Sequence, residues 1–445
     1  MIPQKLIPLG NKFKKELAMR FMYILVTFLV SSQIQAQMDA QLQKDITAIE
    51  QKVIDWRHHF HQNPELSNRE FNTAKKITEH LRAIGLEVQT GVAHTGVVGI
   101  LKGNQQGKVV ALRADIDALP VTERNDLPFK SEVTTTFLNT ETGVMHACGH
   151  DAHTAILMGV AEVLTKNKHL LNGTVKFIFQ PAEEGPPPGE NGGAKMMVEE
   201  GVLKDPKVDA IFGLHISSQL PVGTIAYRPE GIMAASDSFT IEVNGKGSHG
   251  STPWTSVDPI LISAKIIDGL QTIVSRETEL TKEAVVITVG KISAGTRQNI
   301  IPEKSEMLGT LRTLDHDMRE KVMLRMQEMT STLAKAYGGT AKLSFHEYNY
   351  PITFNDPDLT SKMLPTLKNT AGNENVVLID AITGAEDFSF FQKEVPGLYY
   401  FLGGMTPGNQ TPYPHHTPDF MIDDAGMLLG VKSLSQLTID FLNAK

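Results

Sequence analysis

The sequence has one cysteine and no surplus of positive charge. Because Cys148 is the only cysteine in 445 residues, a disulfide within the chain is excluded. The formal net charge is −8 and the body of the chain has no long Lys/Arg run, so we expect no nucleic-acid partner. The apolar run FMYILVTFLV (21–30) is well short of the roughly 20 residues that span a bilayer, so we expect no stable membrane span.

What is present is typical of a large globular protein. Apolar residues make up 41% of the chain and charged residues 21%. A chain of 445 residues is too long for one ordinary core, so two domains, or one domain with an insertion, are expected.

The N-terminus has the pattern of an export signal. Basic residues precede the apolar run at 21–30, and a small residue, Ala36, follows it. This order predicts a cleaved signal peptide over residues 1–36 and a periplasmic or secreted protein. The alternatives are an uncleaved anchor and a true start codon at Met19 or Met22.

In the segment 38–231, helical patterns alternate with short β-branched runs. The first helix carries apolar side chains at helical spacing from Ile46 to Phe60. The predicted strands are VVALRADID (109–117), TVKFIFQ (174–180) and VDAIFGLH (208–215). The alternation predicts an α/β domain with a mostly parallel sheet flanked by helices.

The pattern changes between 232 and 350. There the predicted order is strand, helix, strand, strand, helix, strand, which is the ferredoxin-like order of an α+β domain. The segment 351–445 returns to α/β character. We therefore predict that a larger domain, formed by 38–231 and 351–445, is interrupted by a smaller inserted domain.

Local signals also predict how two helices begin. Ser67 and Glu70 have the spacing of a capping box, and Asp151 is a candidate N-cap. The histidines of RHHFHQNPE (57–65) end a helix. A protonated imidazole there interacts favourably with the negative end of the helix dipole, so we predict a structural role for them.

Polar side chains recur just past the predicted strands. Ligands of open α/β sheets bind at the carboxyl ends of the strands, so these side chains are candidate site residues. They are Asp115, Asp117, Glu183, Glu184 and His215, and, after a fourth strand GLYYFLGG (397–404), His415 and His416. Cys148 and His150 in MHACGHDAH (145–153) directly precede a helical segment.

The mixture of thiol, imidazole and carboxylate indicates a metal site, because zinc and similar divalent ions prefer these ligands. Cys148 and His150 converge only if the turn before the helix is extended. The lone thiol has three other possible roles: a buried apolar side chain, a nucleophile or a redox sensor. We prefer the metal interpretation because it alone gives the acidic pair and the late histidines a role.

Taken together, the motifs resemble the zinc-peptidase and aminoacylase superfamily. The sequence looks like its amidohydrolase branch, which contains hippurate hydrolases, N-acyl-amino-acid hydrolases and plant indole-acetyl-amino-acid hydrolases. The motifs that carry the resemblance are WRHHFHQNPELS, ALRADIDALPV, MHACGHDAHTAILMG, FIFQPAEEG, GGAKMMVEEGVL, FGLHI, GKGSHGSTP, NIIPEKSEMLGTLRT, GAEDFSFF and HHTPDF. They follow one another over nearly the whole chain after residue 37.

The resemblance implies two divalent ions per subunit, which would be zinc, manganese or cobalt. The implied ligands are Cys148, His150, Glu184, His215 and His416. Glu183 matches the general base of the family. His416, rather than His415, directly precedes TPDF and matches the family ligand. Other branches have His-x-Asp where this chain has Asp115 and Asp117, so these two are expected to be orienting groups rather than ligands.

The resemblance also implies what the inserted domain does. It would be a lid through which two subunits dimerise, while the larger domain is catalytic. His249 on the lid is expected to stabilise the oxyanion, reaching in from the partner subunit. Asn299 and Arg312, both on lid strands, are expected to hold the free carboxylate of the substrate.

The implied activity is hydrolysis of the linear amide bond of an N-acyl amino acid, such as a hippurate-like conjugate, by a metal-activated water. A dipeptidase or carboxypeptidase of the same superfamily is one alternative. An exported metal- or ligand-binding protein without catalysis is another. Glu183 counts against the binding protein, which needs no base.

Overall fold

The computed structural model describes residues 40–347, 349–408 and 411–444. The predicted export signal, residues 1–36, lies outside the described residues and stays a prediction. In the part of the chain that the structure describes, no helix has the length and apolar character needed to cross a bilayer.

The helices and strands follow the predicted alternation. The helices are α1 (40–48), α2 (Glu50–Gln62), α3 (Phe71–Ala83), α4 (His150–Lys166), α5 (Gly193–Glu199), α6 (Pro259–Thr272), α7 (His316–Ala336), α8 (Pro357–Ala371), α9 (Ser389–Gln392) and α10 (Met427–Asn443). The first nine strands are β1 (Glu87–Val92), β2 (Gly96–Lys102), β3 (Gln105–Asp115), β4 (Thr134–Phe137), β5 (Thr140–Gly143), β6 (Asn172–Gln180), β7 (Ala210–Pro221), β8 (Ile225–Tyr227) and β9 (Glu230–Met233). The remaining strands are β10 (Ala235–Asn244), β11 (Ser248–His249), β12 (Val285–Ala294), β13 (Ile300–Ile301), β14 (Lys304–Thr313), β15 (Thr340–Phe345), β16 (Thr353–Asn355), β17 (Val376–Leu378) and β18 (Gly397–Met405).

The larger sheet has eight strands in the order β1-β2-β6-β3-β7-β18-β8-β17. Its centre, β6-β3-β7-β18, is parallel, whereas β1 and β2 pair antiparallel at one side. The carboxyl ends of the four central strands therefore lie along one edge of the sheet. This arrangement confirms the predicted α/β class with a mostly parallel sheet.

Apolar side chains cover both faces of this sheet. Along β3, Val110, Leu112 and Ala114 join the core that α2, α4 and α10 also line, whereas Ala111 joins a second core on the opposite face. A strand covered on both faces needs a nearly continuous apolar run, which is what the 109–117 motif shows. In β3 the buried polar side chains, Arg113 and Asp115, lie near its carboxyl end, where the site lies.

The second sheet has four antiparallel strands in the order β12-β14-β10-β15. Helices α6 and α7 cover one face and enclose a separate core that includes Phe239, Ile266 and Val322. The chain order β10, α6, β12, β14, α7, β15 is the predicted ferredoxin-like order. All of these elements lie between residues 235 and 345, with strands of the large sheet before and after them.

The predicted capping box at Ser67 and Glu70 is wrong. Helix α3 begins directly after Glu70 without a side-chain cap. Ser67 Oγ donates to Asp117 Oδ2 at 2.8 Å, and the buried Glu70 carboxylate accepts from Thr95 Oγ1 at 2.5 Å and from the Ala182 amide at 3.0 Å. Distant partners take up both side chains, so neither is available to the helix end.

Asp151 is not an N-cap either. Gly149 occupies that position and α4 begins at His150, which places Asp151 in the first turn. There its Oδ2 lies 3.2 Å from Arg57 Nε and 2.9 Å from His61 Nδ1, and all three side chains are buried. The contact ties the start of α4 to α2.

Candidate metal centre

The candidate site lies at the carboxyl edge of the large sheet. Asp115 ends β3 and the acidic pair follows β6, while His215 in β7 pairs with Phe401 of the neighbouring β18. Because these strands are parallel neighbours, side chains from distant parts of the sequence meet there.

Cys148 and His150 converge through a left-handed turn at Gly149, not through the extended turn that we expected. Gly149 joins them with φ +97°, a left-handed conformation that favours glycine. A Cβ atom on Gly149 would also lie 2.6 Å from Ile216 Cγ2, which leaves no room for a side chain. The backbone therefore aims both side chains at the end of the sheet.

The five ligands implied by the resemblance lie close together. Cys148 Sγ is 3.2 Å from His416 Nε2 and 3.4 Å from His215 Nε2. Glu184 Oε1 is 3.1 Å from His416 Nε2 and 3.9 Å from His150 Nε2. We call these five side chains the donor cluster.

Two imidazoles of the donor cluster have an orientation that suits a metal. The Nδ1–H of His150 donates to the Asp117 carbonyl at 2.9 Å, and that of His215 donates to the Ile216 carbonyl at 2.8 Å. Each ring therefore presents the lone pair of Nε2 to the cluster. Among the described residues, the buried His150 Nε2 has no hydrogen-bond partner.

The electrostatics also fit a bound cation. Burial and the carboxylates of Glu184 and Glu183 raise the pKa of the Cys148 thiol well above its usual range. Burial lowers the pKa of His150, but Asp115 and Asp117 outweigh it and raise that pKa to about 10. A cation would offset this concentration of negative charge and displace both protons. The donors thus fit one or more divalent ions.

His416 and its neighbour His415 face different partners. The backbone of His416 has φ +60°, and its ring reaches Glu184 as well as Cys148. His415 Nδ1 lies farther from Cys148 Sγ, at 3.7 Å, and its Nε2 accepts from the Ser218 amide at 3.3 Å. This geometry favours His416 as the ligand, which was our choice from the sequence.

Glu183 lies beside the donor cluster. Its Oε2 is 3.8 Å from His150 Nε2, and Tyr350 fixes its backbone by donating to the Glu183 carbonyl at 2.7 Å. Burial and the carboxylates of Glu386 and Glu184 raise the pKa of Glu183 well above its usual range. A carboxylate that is easily protonated can move protons during a reaction.

Asp115 and Asp117 act through histidines and the backbone. Asp115 Oδ1 accepts from His153 Nδ1 at 2.6 Å, and the Ile216 amide donates to the other ring nitrogen of His153. Asp117 accepts from His150 through its carbonyl and from the Glu184 amide through its carboxylate at 3.0 Å. These contacts position His153, His150 and Glu184, and the orienting role of Asp115 and Asp117 stays a prediction.

Of the three residues expected on the lid, one lies at the site. Arg312 lines a cavity of about 500 Å³ together with Glu183 and the side chains of Cys148, Glu184, His215 and His416; we call it the catalytic cavity. His249 and Asn299 are exposed and do not line it. They lie beside each other, where β11 pairs with β13, and Asn299 is in the turn before β13 rather than on a strand.

Sequence reasoning missed the buried residues behind Glu183. The guanidinium of Arg113 lies 2.6 Å from Asp115, 2.9 Å from Glu386 and 2.9 Å from Asp387. The Asp387 amide in turn lies 3.4 Å from Glu183 Oε1. In the sequence, the motif GAEDFSFF, which contains Glu386 and Asp387, contributed only to the resemblance. The signal that could have revealed these contacts is the arginine within the apolar strand, because a buried arginine needs acidic partners.

The histidines of RHHFHQNPE end α2 as expected, with His59 and His61 in its last turn, and His61 also makes contacts to other elements. His61 is 1% exposed, and its two ring nitrogens lie 2.9 Å from Asp151 and 3.2 Å from Glu123. Burial lowers the pKa of His61, yet the hydrogen bonds to these carboxylates outweigh it and raise the pKa to about 8. Protonated His61 therefore joins α2 to the start of α4.

This contact predicts a pH dependence of stability. The pKa of His61 is higher in the folded protein than its usual value of 6.5, so its contribution is complete below pH 6.5 and is lost as the pH rises through 8. A shift of this size corresponds to about 2 kcal/mol. Urea unfolding at constant metal content should show this loss in the wild type but not in His61→Gln.

The matched control is His169→Gln, which changes an exposed histidine. That variant is expected to keep the wild-type pH profile. If His61→Gln also loses stability between pH 6.5 and 9 as the wild type does, then another group causes the loss.

The arrangement of the site defines the class of protein. A carboxylate held beside a set of metal donors is how metallohydrolases activate water, so the fold and the site together are those of a metal-dependent hydrolase. The chain belongs to peptidase family M20/M25/M40, whose model matches residues 111–440. This finding confirms the family that the motifs predicted.

Relatives and a solved structure match over nearly the full chain. Thermostable carboxypeptidase 2 of Saccharolobus solfataricus is 44% identical over 404 residues, covering 91% of this chain and 98% of that protein. N-acetylcysteine deacetylase of Bacillus subtilis is 38% identical over 395 residues, covering 88% and 97%. The crystal structure of the Bacillus subtilis YXEP protein, described as a dinuclear metal-binding peptidase, has a TM-score of 0.75 and 34% identity, covering 90% of this chain and all of that one.

Proposed function

We propose that the protein hydrolyses the amide bond of N-acyl amino acids with two divalent ions, zinc, manganese or cobalt, bound by the donor cluster. One observation carries the proposal: Glu183, Arg312 and four side chains of the donor cluster (Cys148, Glu184, His215 and His416) line a single cavity. A base, a set of metal donors and a cation for the substrate's free carboxylate are the parts that this reaction needs.

Each residue has a distinct task. The bound ions would supply a water of lowered pKa and polarise the scissile carbonyl. Glu183 takes the proton of the attacking water and delivers it to the leaving amine. Arg312 holds the carboxylate of the amino acid as a planar fork, while Asp115 and Asp117 keep His153 and His150 in place.

A carboxypeptidase or dipeptidase activity is the second candidate. It is favoured by the 44% identity to a protein named thermostable carboxypeptidase 2, and Arg312 would serve a peptide's carboxylate equally well. The relative named as an N-acetylcysteine deacetylase favours the acyl substrate. A binding protein without catalysis is disfavoured, because it has no use for Glu183.

A substrate panel tests the proposal. The metal-loaded protein is offered benzoyl-glycine, N-acetyl and N-hexanoyl amino acids, and unblocked dipeptides of the same amino acids. We expect kcat/KM to be higher for the acyl compounds. Faster hydrolysis of the dipeptides would support the peptidase, and a protein that holds metal but cleaves none of them would support a binding protein.

We further propose that two subunits pair through the lid, so that His249 of each subunit enters the catalytic cavity of the other. His249 and Asn299 are exposed and lie outside their own catalytic cavity, so they are free to enter another subunit's. The lid also carries several exposed apolar side chains, namely Ile260, Leu261, Val286, Ile292 and Ile300. In this arrangement the imidazole of His249 stabilises the oxyanion.

Mixed dimers provide the test. His249→Ala alone should lower kcat by about 100- to 1,000-fold, as loss of an oxyanion donor does, without loss of metal. When His249→Ala and Glu183→Gln subunits are mixed one to one, half of the dimers are hybrids with one intact site, so about a quarter of wild-type activity should return. Hybrids that stay inactive would show that His249 does not act across the dimer.

A further inference from the structure

A second cavity opens on the other side of Glu184. Its volume is about 370 Å³, which is within the range of small-molecule sites. Most of its lining is apolar, and the side chains that matter here are Leu66, Leu119, Phe137, Leu138, Pro186 and Pro187. Among the residues that the structure describes, Glu184 alone lines both this second cavity and the catalytic cavity.

One wall of the second cavity is a stiff segment, 185–190. Three consecutive prolines lie between Gly185 and Gly189, both with positive φ, +99° and +83°. The segment is held at its end by Glu190, whose carboxylate is 2.5 Å and 3.1 Å from the guanidinium of Arg69. Proline restricts the backbone, so this wall is already formed before anything binds.

The opposite wall is the hairpin of β4 and β5. Its two turn residues, Leu138 and Asn139, have φ +49° and +64°, the conformation that two-residue hairpin turns require and that glycine and asparagine prefer. Leucine is unfavourable there, and its side chain is 65% exposed. A strained, exposed leucine beside an apolar cavity suggests that a ligand makes use of it.

The two cavities meet at Glu184 and otherwise draw on different parts of the large sheet. The catalytic cavity takes residues from β7 and β18, together with Arg312 of the lid. The second cavity takes residues from 118–120 after β3 and from 184–188 after β6. Since the sheet order is β6-β3-β7-β18, a substrate whose carboxylate is at Arg312 directs its other end past Glu184 towards the second cavity.

We infer that the second cavity binds the acyl group of the substrate and selects aromatic or medium-chain aliphatic acyl groups over acetyl. This inference rests on the proposed function, because it requires an acyl amino acid in the catalytic cavity. An acetyl group has a single methyl to bury in the second cavity, whereas a benzoyl or hexanoyl group would bury a larger apolar surface against Phe137 and Leu138. One methylene that is fully buried in an apolar pocket favours binding of the transition state by about tenfold or more, so burial of even one of the methylenes that hexanoyl adds to acetyl would give a tenfold preference.

The test is the ratio of kcat/KM for N-hexanoyl to N-acetyl derivatives of one amino acid, measured with metal-loaded protein. In the wild type the ratio should exceed about tenfold. Leu138→Asn places a preferred residue in the turn, so this variant should fold at least as stably as the wild type, yet its ratio should fall by about fivefold to tenfold. Adding Phe137→Ala should lower the ratio further.

Leu378→Asn is the matched control. Leu378 on β17 is also 65% exposed but lines neither cavity, so its ratio should equal that of the wild type. A wild type without preference for hexanoyl, or a Leu138→Asn ratio within twofold of the wild type, overturns the inference while the proposed function stands. If the wild type hydrolyses no acyl amino acid, the proposed function fails and the inference fails with it.

Discussion

Glu183→Gln should lower kcat by about 100- to 10,000-fold, the usual contribution of a general base. The variant should keep its metal. Glutamine has the shape of glutamate but cannot accept the proton of the attacking water. Glu183 is buried among carboxylates that raise its pKa, so a neutral amide also relieves repulsion and should not destabilise the fold.

The comparison with Glu184→Gln separates the two neighbours. Glu184 Oε1 faces His416 and His150 within the donor cluster, so removal of its charge should lower metal content as well as turnover. Both variants are dialysed against the same low metal concentration, and their metal is measured by elemental analysis. Equal loss of metal in the two variants would contradict the separate roles of base and ligand.

Cys148→Ser should lose both metal and activity. Changes to groups that merely support a ligand weaken metal binding by about 10- to 100-fold, so loss of the thiolate itself should cost at least about 100-fold. Serine has nearly the same size as cysteine, but its hydroxyl does not ionise near neutral pH. Cobalt-loaded wild type should show the near-ultraviolet absorption of a thiolate–cobalt bond, and Cys148→Ser should lack it.

The other roles of Cys148 make different predictions. A buried apolar cysteine would allow Cys148→Ala with full metal content and full activity, since the side chain is 7% exposed and its methyl replacement fits. A nucleophile would leave an acyl-enzyme that mass spectrometry detects after rapid quenching. Cys148→Ser with wild-type metal and turnover would disprove the ligand role.

Much of the fold could be predicted because it depends on local periodicity. The apolar run of β3 and the polar residues near its end are visible in ALRADID, since a strand covered on both faces is nearly continuously apolar. The order of strands and helices between 235 and 345 is likewise local. The family followed from motifs whose residue types are those of metal ligands and a base.

The partners of buried polar side chains could not be predicted in the same way. Ser67 and Glu70 have the spacing of a capping box, yet they bond to Asp117 and to Thr95. Asp151 binds Arg57 from 94 positions earlier instead of capping α4. A local motif indicates which hydrogen bonds a side chain is able to form. Which of them it does form depends on competition from partners that are distant in the sequence.

The sequence by itself determined the kinds of donor, the strand ends that carry them and the interruption of one domain by another, because these depend on residue type and short-range pattern. Only the tertiary structure decided that Arg113 joins Asp115 to Glu386 and Asp387 behind Glu183, and that Arg312 faces the donor cluster while His249 does not. Such contacts depend on the order of parallel strands and on how the two sheets are placed. That order brings together residues separated by more than 200 positions, a relation that no short-range pattern encodes.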